Sequence, residues 1–181
     1  PSRPTAPKGA PNVVIVVLDD VGYGQLSAFG GLCETPNLDR LAAEGARFTR
    51  YYAGSPVCAP SRSTLLTGLH TGHTFIRDNR ELATEGQLAL PADTPTLPKL
   101  LRNAGYATGM VGKWHLGGNA EFQPPRRGFD EFFGFHHGAN AFITKETNGG
   151  QFVETEDVAG ALSRPPAKRN QPVFRQETPV D

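Results

Sequence analysis

The chain has 181 residues, of which 38% are hydrophobic and 20% are charged, enough for one domain with a hydrophobic core of its own. Lysine and arginine together number 18, as do aspartate and glutamate, so no overall charge predicts binding to nucleic acid or to an anionic membrane surface. The longest apolar run, Val13 to Leu18, has six residues, far short of the ~18 that a transmembrane helix needs. We therefore expect neither a nucleic-acid partner nor a membrane span.

Residues 1–10 read PSRPTAPKGA and predict an extended, solvated lead-in to the domain. The sequence opens on Pro1 rather than on methionine, which is compatible with a signal peptide removed from the protein. On this basis we predict a periplasmic or secreted location.

The apolar run Val13 to Leu18 is β-branched almost throughout and does not alternate with polar residues. This pattern is typical of a strand that is buried on both faces of a parallel sheet, so we predict a central strand here. Asp19 and Asp20 follow it directly. Open α/β sheets bind their ligands at the carboxyl ends of strands, which makes this carboxylate pair a candidate site.

Two later segments share one pattern: a Thr-Pro start, an apolar stripe at helical spacing and a glycine stop. The first runs from Thr35 to Gly45 and the second from Thr94 to Gly105, and a strand-like run from Tyr106 to Val111 follows the second. The stripes are Leu38, Leu41 and Ala42 in the first segment and Leu97, Leu100, Leu101 and Ala104 in the second. Helices followed by strands predict an α/β layer architecture.

From Gly117 onward the sequence is aromatic and punctuated by glycine, as in PPRRGFDEFFGFHHG, and it lacks a sustained period. We predict that this part is an excursion and not core, that FDEFFGF is a packed loop, and that residues 144–181 are loop-rich. No further α/β pattern appears before Asp181. The sheet begun at Val13 is therefore expected to be incomplete in this chain.

The sharpest chemical signal is SPVCAPSRSTLLTG, residues 55–68, which holds Cys58, one of the two cysteines. A thiol beside Pro60, with a helix predicted from Ser61, lies near backbone donors that favour anionic groups, and Arg62 adds a planar cation. Chemistry on phosphate or sulfate is the natural expectation. A thiolate phosphatase would need arginine six residues after the cysteine, and Thr64 stands there.

The pattern Cys-X-Pro-Ser-Arg followed by Leu-X-Thr-Gly resembles the signature of the type I sulfatases. Further segments resemble this family in the order that it uses, namely PNVVIVVLDDVGYG, TPNLDRLAAEGARFTRYY, GYATGMVGKWHLG and RGFDEFFGF. The resemblance extends from about Pro11 to about Phe135, with a weaker similarity in PVFRQETPVD, and HTGHTFIRDN looks most like the arylsulfatase branch. One departure is Gln25, where the family has aspartate.

The resemblance implies that a dedicated formylglycine-generating enzyme oxidises Cys58 to formylglycine, whose hydrate is a geminal diol. One hydroxyl attacks sulfur and gives a sulfate ester on the enzyme, and the second helps to expel sulfate and restore the aldehyde. Asp19 and Asp20 match the first metal ligands of the family, which hold Ca²⁺ or Mg²⁺ against residue 58. Two carboxylates cannot fill the shell of a hard cation, and the family's later ligands fall beyond Asp181.

The same resemblance assigns Arg62 to support of the metal-bound nucleophile, Lys113 to sulfate binding and His115 to contact with the diol. The spacing of two between Lys113 and His115 would place both side chains on one face of a strand end. By contrast His70, His73, His136 and His137 show no zinc-site spacing and are predicted to be polar loop residues. Cys33 is predicted to be a plain thiol.

The predicted fold is therefore a mixed α/β sheet flanked by helices, as in the alkaline phosphatase superfamily, with residues 11–181 forming the N-terminal part of a sulfatase catalytic domain. The predicted function is hydrolysis of a sulfate ester of a small molecule or carbohydrate. Two alternatives stay open: a phosphonate or phosphate ester hydrolase with the same nucleophile, and an inactive sulfatase fragment that only binds. We expect the 181-residue chain alone not to turn over sulfate esters.

Overall fold

The computed structural model describes residues 4–82, 87–139 and 173–180. The helices are α1 (Pro36–Glu44), α2 (Cys58–Thr67) and α3 (Leu97–Asn103), and the strands are β1 (Gly109–Lys113), β2 (Glu131–Phe135), β3 (Val173–Arg175) and β4 (Thr178–Val180). Short 3-10 turns lie at Tyr23–Gln25, Ser27–Phe29, Ala120–Phe122 and Pro124–Arg127. In this part of the chain no helix is both long and apolar enough to cross a membrane.

The four strands form one sheet in the order β1-β2-β3-β4. Strands β1 and β2 are parallel, with Gly109 opposite Glu131 and Lys113 opposite Phe135, and the other two pairs are antiparallel. This mixed sheet with its helices agrees with the predicted fold class. Because β1 and β2 are parallel, their carboxyl ends lie side by side, and the residues that follow both strands share one edge of the sheet.

The predicted helices form, with shifted starts in two of them. Helix α1 begins at Pro36 after Thr35, as expected, and is followed by Gly45. Helix α3 begins at Leu97, two residues after Pro95, so its second residue is Pro98, whose missing N–H has no intrahelical partner in a first turn. The run predicted as strand from Tyr106 to Val111 is paired from Gly109 to Lys113.

The prediction of a buried central strand at Val13 to Leu18 is wrong for this structure. These six residues are 45 to 84% exposed, and they pair with no strand of the described residues. A cavity of about 800 Å³ separates part of this segment from β1 and α3. An apolar β-branched run favours an extended conformation, but burial on both faces needs neighbours that the described residues do not supply.

The prediction of a loop after Gly117 is also wrong, because FDEFFGF contains β2. Its strand residues alternate until the end of the strand, so Phe132 and Phe135 are buried while Glu131 and Phe133 are exposed. Period-two alternation in a run this short and rich in glycine is easily mistaken for a loop. Within the segment 144–181, the structure describes only residues 173–180, which form a hairpin, and the remaining prediction lies outside the described residues.

The hydrophobic core lies between α2, the segment that carries Ile76 and Leu90, and the residues that follow β1. Its fully buried members are Ala59, Ile76, Leu90, Trp114 and Leu116. The backbone N–H of Leu90 donates to the carbonyl oxygen of Leu116 at 3.0 Å, and the indole N–H of Trp114 donates to the carbonyl oxygen of Phe122 at 3.0 Å. These contacts fix the chain on both sides of His115, which lies between Trp114 and Leu116.

Candidate active site

Cys58 is the first residue of α2, which begins three residues earlier than the sequence predicts. Val57 precedes it with an extended backbone and a side chain that cannot accept a hydrogen bond, so the first N–H groups of the helix need partners from elsewhere. One of them, the N–H of Ala59, donates to Oδ1 of Asn79 at 2.9 Å. The side chain of Cys58 thus stands at the positive end of a ten-residue helix.

Lys113 is the last residue of β1, and His115 follows it in the left-handed backbone region with φ +60°. The expectation that strand alternation places the two side chains on one face assumed a strand through residue 115, whereas β1 ends at Lys113. Backbone pairing continues beyond the strand, because the N–H of His115 donates to the carbonyl oxygen of His136 at 3.0 Å. Both side chains are nevertheless buried, at 8% and 5% exposed.

Asp19 is the point on which the two cations of the site converge. Nζ of Lys113 lies 2.9 Å from its Oδ2, and the guanidinium of Arg62 lies 3.8 Å from the same oxygen. Arg62 also donates through Nη1 to the carbonyl oxygen of Lys113 at 2.6 Å. Two cations face one half-exposed carboxylate, so they can also attract an anion.

The second carboxylate and the thiol lie beside this ion pair. Ligand atoms of Asp19, Asp20 and Cys58 all lie within 4.8 Å of one another. Asp20 has φ +56°, a left-handed conformation that is uncommon outside glycine and occurs more often for aspartate than for most other residues. This turn places the two consecutive carboxylates next to the same thiol.

Burial and nearby positive charge set the protonation state of His115. Desolvation, followed by the charges of Lys113 and Arg62, lowers the pKa of His115 to about 4. The imidazole is therefore neutral near pH 7, and its Nδ1 is buried without a hydrogen-bond partner among the described residues. Burial also lowers the pKa of Arg62, and the nearby Asp19 opposes that shift.

The structure brings all of the predicted site residues together at the carboxyl end of β1 and the start of α2, namely Asp19, Asp20, Cys58, Arg62, Lys113 and His115. The prediction of polar loop positions is inaccurate for His136, which is 3% exposed and stacks on Phe132. His70 and His73 are exposed and lie against each other, and Cys33 is an exposed free thiol.

Two residues of this region did not emerge from the sequence. The side chain of Asn79 contacts both Cys58 and Ala59, although its segment HTGHTFIRDN entered only as part of the resemblance. Gly138 lies against the imidazole of His115, where a Cβ would come within 2.6 Å of Nε2. Neither residue carries a chemical pattern of its own, because each depends on the chain returning to the site.

Comparison with known proteins identifies the family of this chain. Residues 11–174 match a family model described as Sulfatase. This chain belongs to the sulfatase family. Among its curated relatives, N-acetylgalactosamine-6-sulfatase from Sus scrofa is 46% identical over 131 residues, which cover 68% of this chain and 25% of that protein. Arylsulfatase G from Canis lupus familiaris is 44% identical over 125 residues, covering 68% and 23%.

The solved structures confirm the fold class. The crystal structure of Ps i-CgsB superposes with a TM-score of 0.72 at 29% identity and covers 99% of this chain and 37% of that chain. The α/β fold of the alkaline phosphatase type is therefore the fold of this chain. The chain spans about a quarter of the length of the curated relatives that it matches.

Proposed function

We propose that the whole protein hydrolyses sulfate esters, through a formylglycine formed from Cys58 together with a divalent cation, Ca²⁺ or Mg²⁺. The observation that carries this proposal is the convergence of Asp19 and Asp20 on Cys58, beside the cations of Arg62 and Lys113. Membership of the sulfatase family supports it further. When present, the hydrated aldehyde would supply the nucleophilic hydroxyl and the cation would offset negative charge on the transferred group.

The donor set itself argues for modification of residue 58. Hard cations such as Ca²⁺ and Mg²⁺ prefer oxygen ligands, whereas a thiol suits softer metals. Two carboxylates and one thiol within 4.8 Å are therefore a mismatched set for a hard cation as encoded. With oxygens on residue 58 the same positions become an all-oxygen set, and Asp19, Asp20 and residue 58 would be the ligands from this chain.

The basic side chains supply the anion-binding half of the site. Lys113 and Arg62 both contact Asp19, which lies next to residue 58, so a sulfate group entering there would meet two cations. Arg62 is held by its bond to the carbonyl oxygen of Lys113, which limits reorganisation during the reaction. Neutral His115, whose Nδ1 is buried without a hydrogen-bond partner among the described residues, would contact the hydrated aldehyde, as the family resemblance implies.

The proposed substrate is a sulfated small molecule or a sulfated carbohydrate. The names of the relatives include both an N-acetylgalactosamine-6-sulfatase and an arylsulfatase, and this supports that range. The maturing partner would be a formylglycine-generating enzyme, and a periplasmic or secreted location stays a prediction.

Mass spectrometry of the tryptic peptide Tyr51 to Arg62 tests the nucleophile directly. Protein produced in a host with the maturing enzyme should carry an aldehyde at residue 58, while protein produced without that enzyme should carry a thiol. Activity toward an aryl sulfate should follow the aldehyde fraction. Full activity in protein whose residue 58 is wholly thiol would contradict the mechanism.

Replacement of the nucleophile supplies the second arm of this test. Cys58→Ala should reduce hydrolysis of an aryl sulfate to background and leave the far-ultraviolet circular dichroism unchanged, because the side chain is only half-buried and its loss opens no large cavity. The matching aryl phosphate, assayed in parallel, decides the alternative specificity. Faster turnover of the phosphate would assign the protein to phosphoryl rather than sulfuryl transfer.

A further inference from the structure

Asn79 makes two contacts at the start of α2 through the two ends of its side-chain amide. Its Oδ1 accepts from the N–H of Ala59 at 2.9 Å, and its Nδ2 lies 3.7 Å from Sγ of Cys58. The orientation of the amide is settled by the first contact, since a backbone N–H can only donate and must face the oxygen. The amide nitrogen is therefore directed at the side chain of residue 58.

The segment that carries Asn79 is anchored against α2 at two earlier positions. The hydroxyl groups of Ser63 and Thr74 hydrogen-bond to each other in the buried interface, and Ile76 packs in the core with Ala59. These contacts fix the distance between the segment and the helix, so Asn79 meets the helix start without a large entropic cost.

A role in anchoring the helix explains only one of the two contacts. The bond to the N–H of Ala59 satisfies a donor that Val57 cannot satisfy, and an aspartate would serve equally well there. The second contact needs a donor, and sulfur is a weak acceptor for it. An oxygen on residue 58 would be a much better acceptor for the same amide nitrogen.

We propose that Asn79 is a positioning residue, whose amide nitrogen fixes the orientation of the side chain at residue 58 while its oxygen holds the first turn of α2. The inference rests on the proposed function, since it assigns Nδ2 to the oxygenated form of residue 58. Fixing that side chain orients the nucleophile relative to Asp19 and Asp20, which face it from another segment, and relative to Arg62, which lies one turn further along α2.

Two substitutions in the whole protein separate positioning from anchoring. Asn79→Asp keeps an acceptor for the N–H of Ala59 and loses the donor, whereas Asn79→Leu has nearly the same shape and loses both. Asn103→Asp, at an exposed position at the end of α3, is the matched control for the added charge. Peptide mass spectrometry gives the aldehyde fraction of each variant, and kcat is expressed per aldehyde.

We expect kcat to fall by about 10-fold to 10²-fold in both Asn79 variants, the scale for a misplaced reacting group, with KM nearly unchanged. The melting temperature should fall in Asn79→Leu and stay near the wild-type value in Asn79→Asp. Recovery of kcat together with stability in Asn79→Asp would reduce Asn79 to an anchor of the helix. Loss of kcat in Asn79→Asp alone would mean that the added charge, and not the missing donor, is responsible.

A second readout does not depend on turnover. In crystals of protein produced without the maturing enzyme, the Cys58 side chain should keep one rotamer in the wild type and adopt another, or several, in both Asn79 variants. An unchanged rotamer in both overturns the positioning role. If instead the wild type with a full aldehyde complement hydrolyses no sulfate ester, the proposed function fails, while the rotamer comparison still decides the role of Asn79.

Discussion

Two segments of this chain lead into residues of the site, and they differ in how they are held. Strand β1 is paired with β2 and leads into Lys113 and His115, which are buried. The more apolar run Val13 to Leu18 leads into Asp19 and Asp20, yet it is unpaired within the described residues and its side chains are largely exposed. The stronger strand pattern in the sequence thus belongs to the less buried segment.

The difference shows that neighbours decide burial more than hydrophobicity does. The end of β1 is enclosed because the chain returns to it twice, in β2 and in the loop carrying Leu90 and Ile76. The end of the other run is held by charge, through the contacts of Asp19 with Lys113 and Arg62. Lys113 and Arg62 are largely buried while Asp19 is half-exposed, so the acidic half of the site depends on the basic half for its position.

Removing the contacts of Asp19 with Lys113 and Arg62 should have its largest effect on catalysis. Arg62→Ala or Lys113→Ala in the whole protein should each lower turnover of an aryl sulfate by roughly 10² to 10³, the scale for loss of one preorganised electrostatic donor. Each substitution also removes a cation from Asp19. Steady-state kinetics on variants with equal aldehyde fractions measures the effect.

Arg62→Lys serves as the control for charge alone. An ammonium group cannot both donate to the carbonyl oxygen of Lys113 and face Asp19 as the planar guanidinium does, so little activity should return. Turnover within a few-fold of wild type in all of these variants would place Arg62 and Lys113 outside the chemistry.

The next largest effect is on the stability of the buried cluster that follows β1. Leu116→Ala should lower the free energy of unfolding by about 2–5 kcal/mol, because it opens a cavity next to Trp114 and Ile76 in a fully buried cluster. The same change on an exposed helix face, Leu100→Ala, should cost far less. Urea denaturation of the 181-residue chain measures both values, and equal costs would show that the core is not where the structure has it.

These contrasts indicate what the sequence could predict. The motif around Cys58 and the pair Asp19-Asp20 predict a candidate site from their own chemistry, whereas Lys113 and His115 were assigned to it through the family resemblance. Asn79 escaped prediction because its role depends on a return of the chain after 21 residues. The burial of Val13 to Leu18 was predicted wrongly because an apolar pattern reports a preference for burial but does not specify a neighbour.

For the fold, the sequence predicted the helices but missed strand β2. Both Thr-Pro helices form because their start, stripe and stop signals are local, although α3 begins at Leu97 rather than at Pro95. Strand β2 was missed because its alternation covers only five residues, Glu131 to Phe135, within an aromatic stretch. Pairing with β1 makes it a strand, and pairing between distant segments is absent from a local pattern.

A smaller effect is the pH dependence of stability caused by the buried His136, which follows strand β2. Burial lowers the pKa of His136 to about 4, from 6.5, while its ring stacks between Phe132 and Phe174. The unfolded chain then binds more protons than the folded one between these values, so this group's contribution to stability is complete above pH 6.5 and is lost on acidification toward pH 4. The slope is about 1.4 kcal/mol per pH unit for one such group.

The substitution His136→Phe should remove that share of the slope. Urea denaturation at several values between pH 4 and pH 7 measures it, with the exposed His70→Phe as the control. His115, whose pKa is also lowered to about 4, should account for a slope that persists in the variant. An unchanged slope in His136→Phe would mean that its imidazole is not buried in solution.

The smallest expected effect is on the free energy of unfolding when the exposed run Val13 to Leu18 is substituted. Val16 is 75% exposed, so Val16→Thr in the 181-residue chain should change the free energy of unfolding by no more than about 0.5 kcal/mol, as at other surface positions. If the whole protein supplies neighbours that cover this run, the same substitution there would bury an unpaired hydroxyl and cost about 1–3 kcal/mol. Measuring Val16→Thr by denaturation in both proteins therefore tests whether neighbours decide burial. A large cost in the 181-residue chain would show that Val16 is already enclosed there, while a negligible cost in both would show that the run is exposed in the whole protein as well.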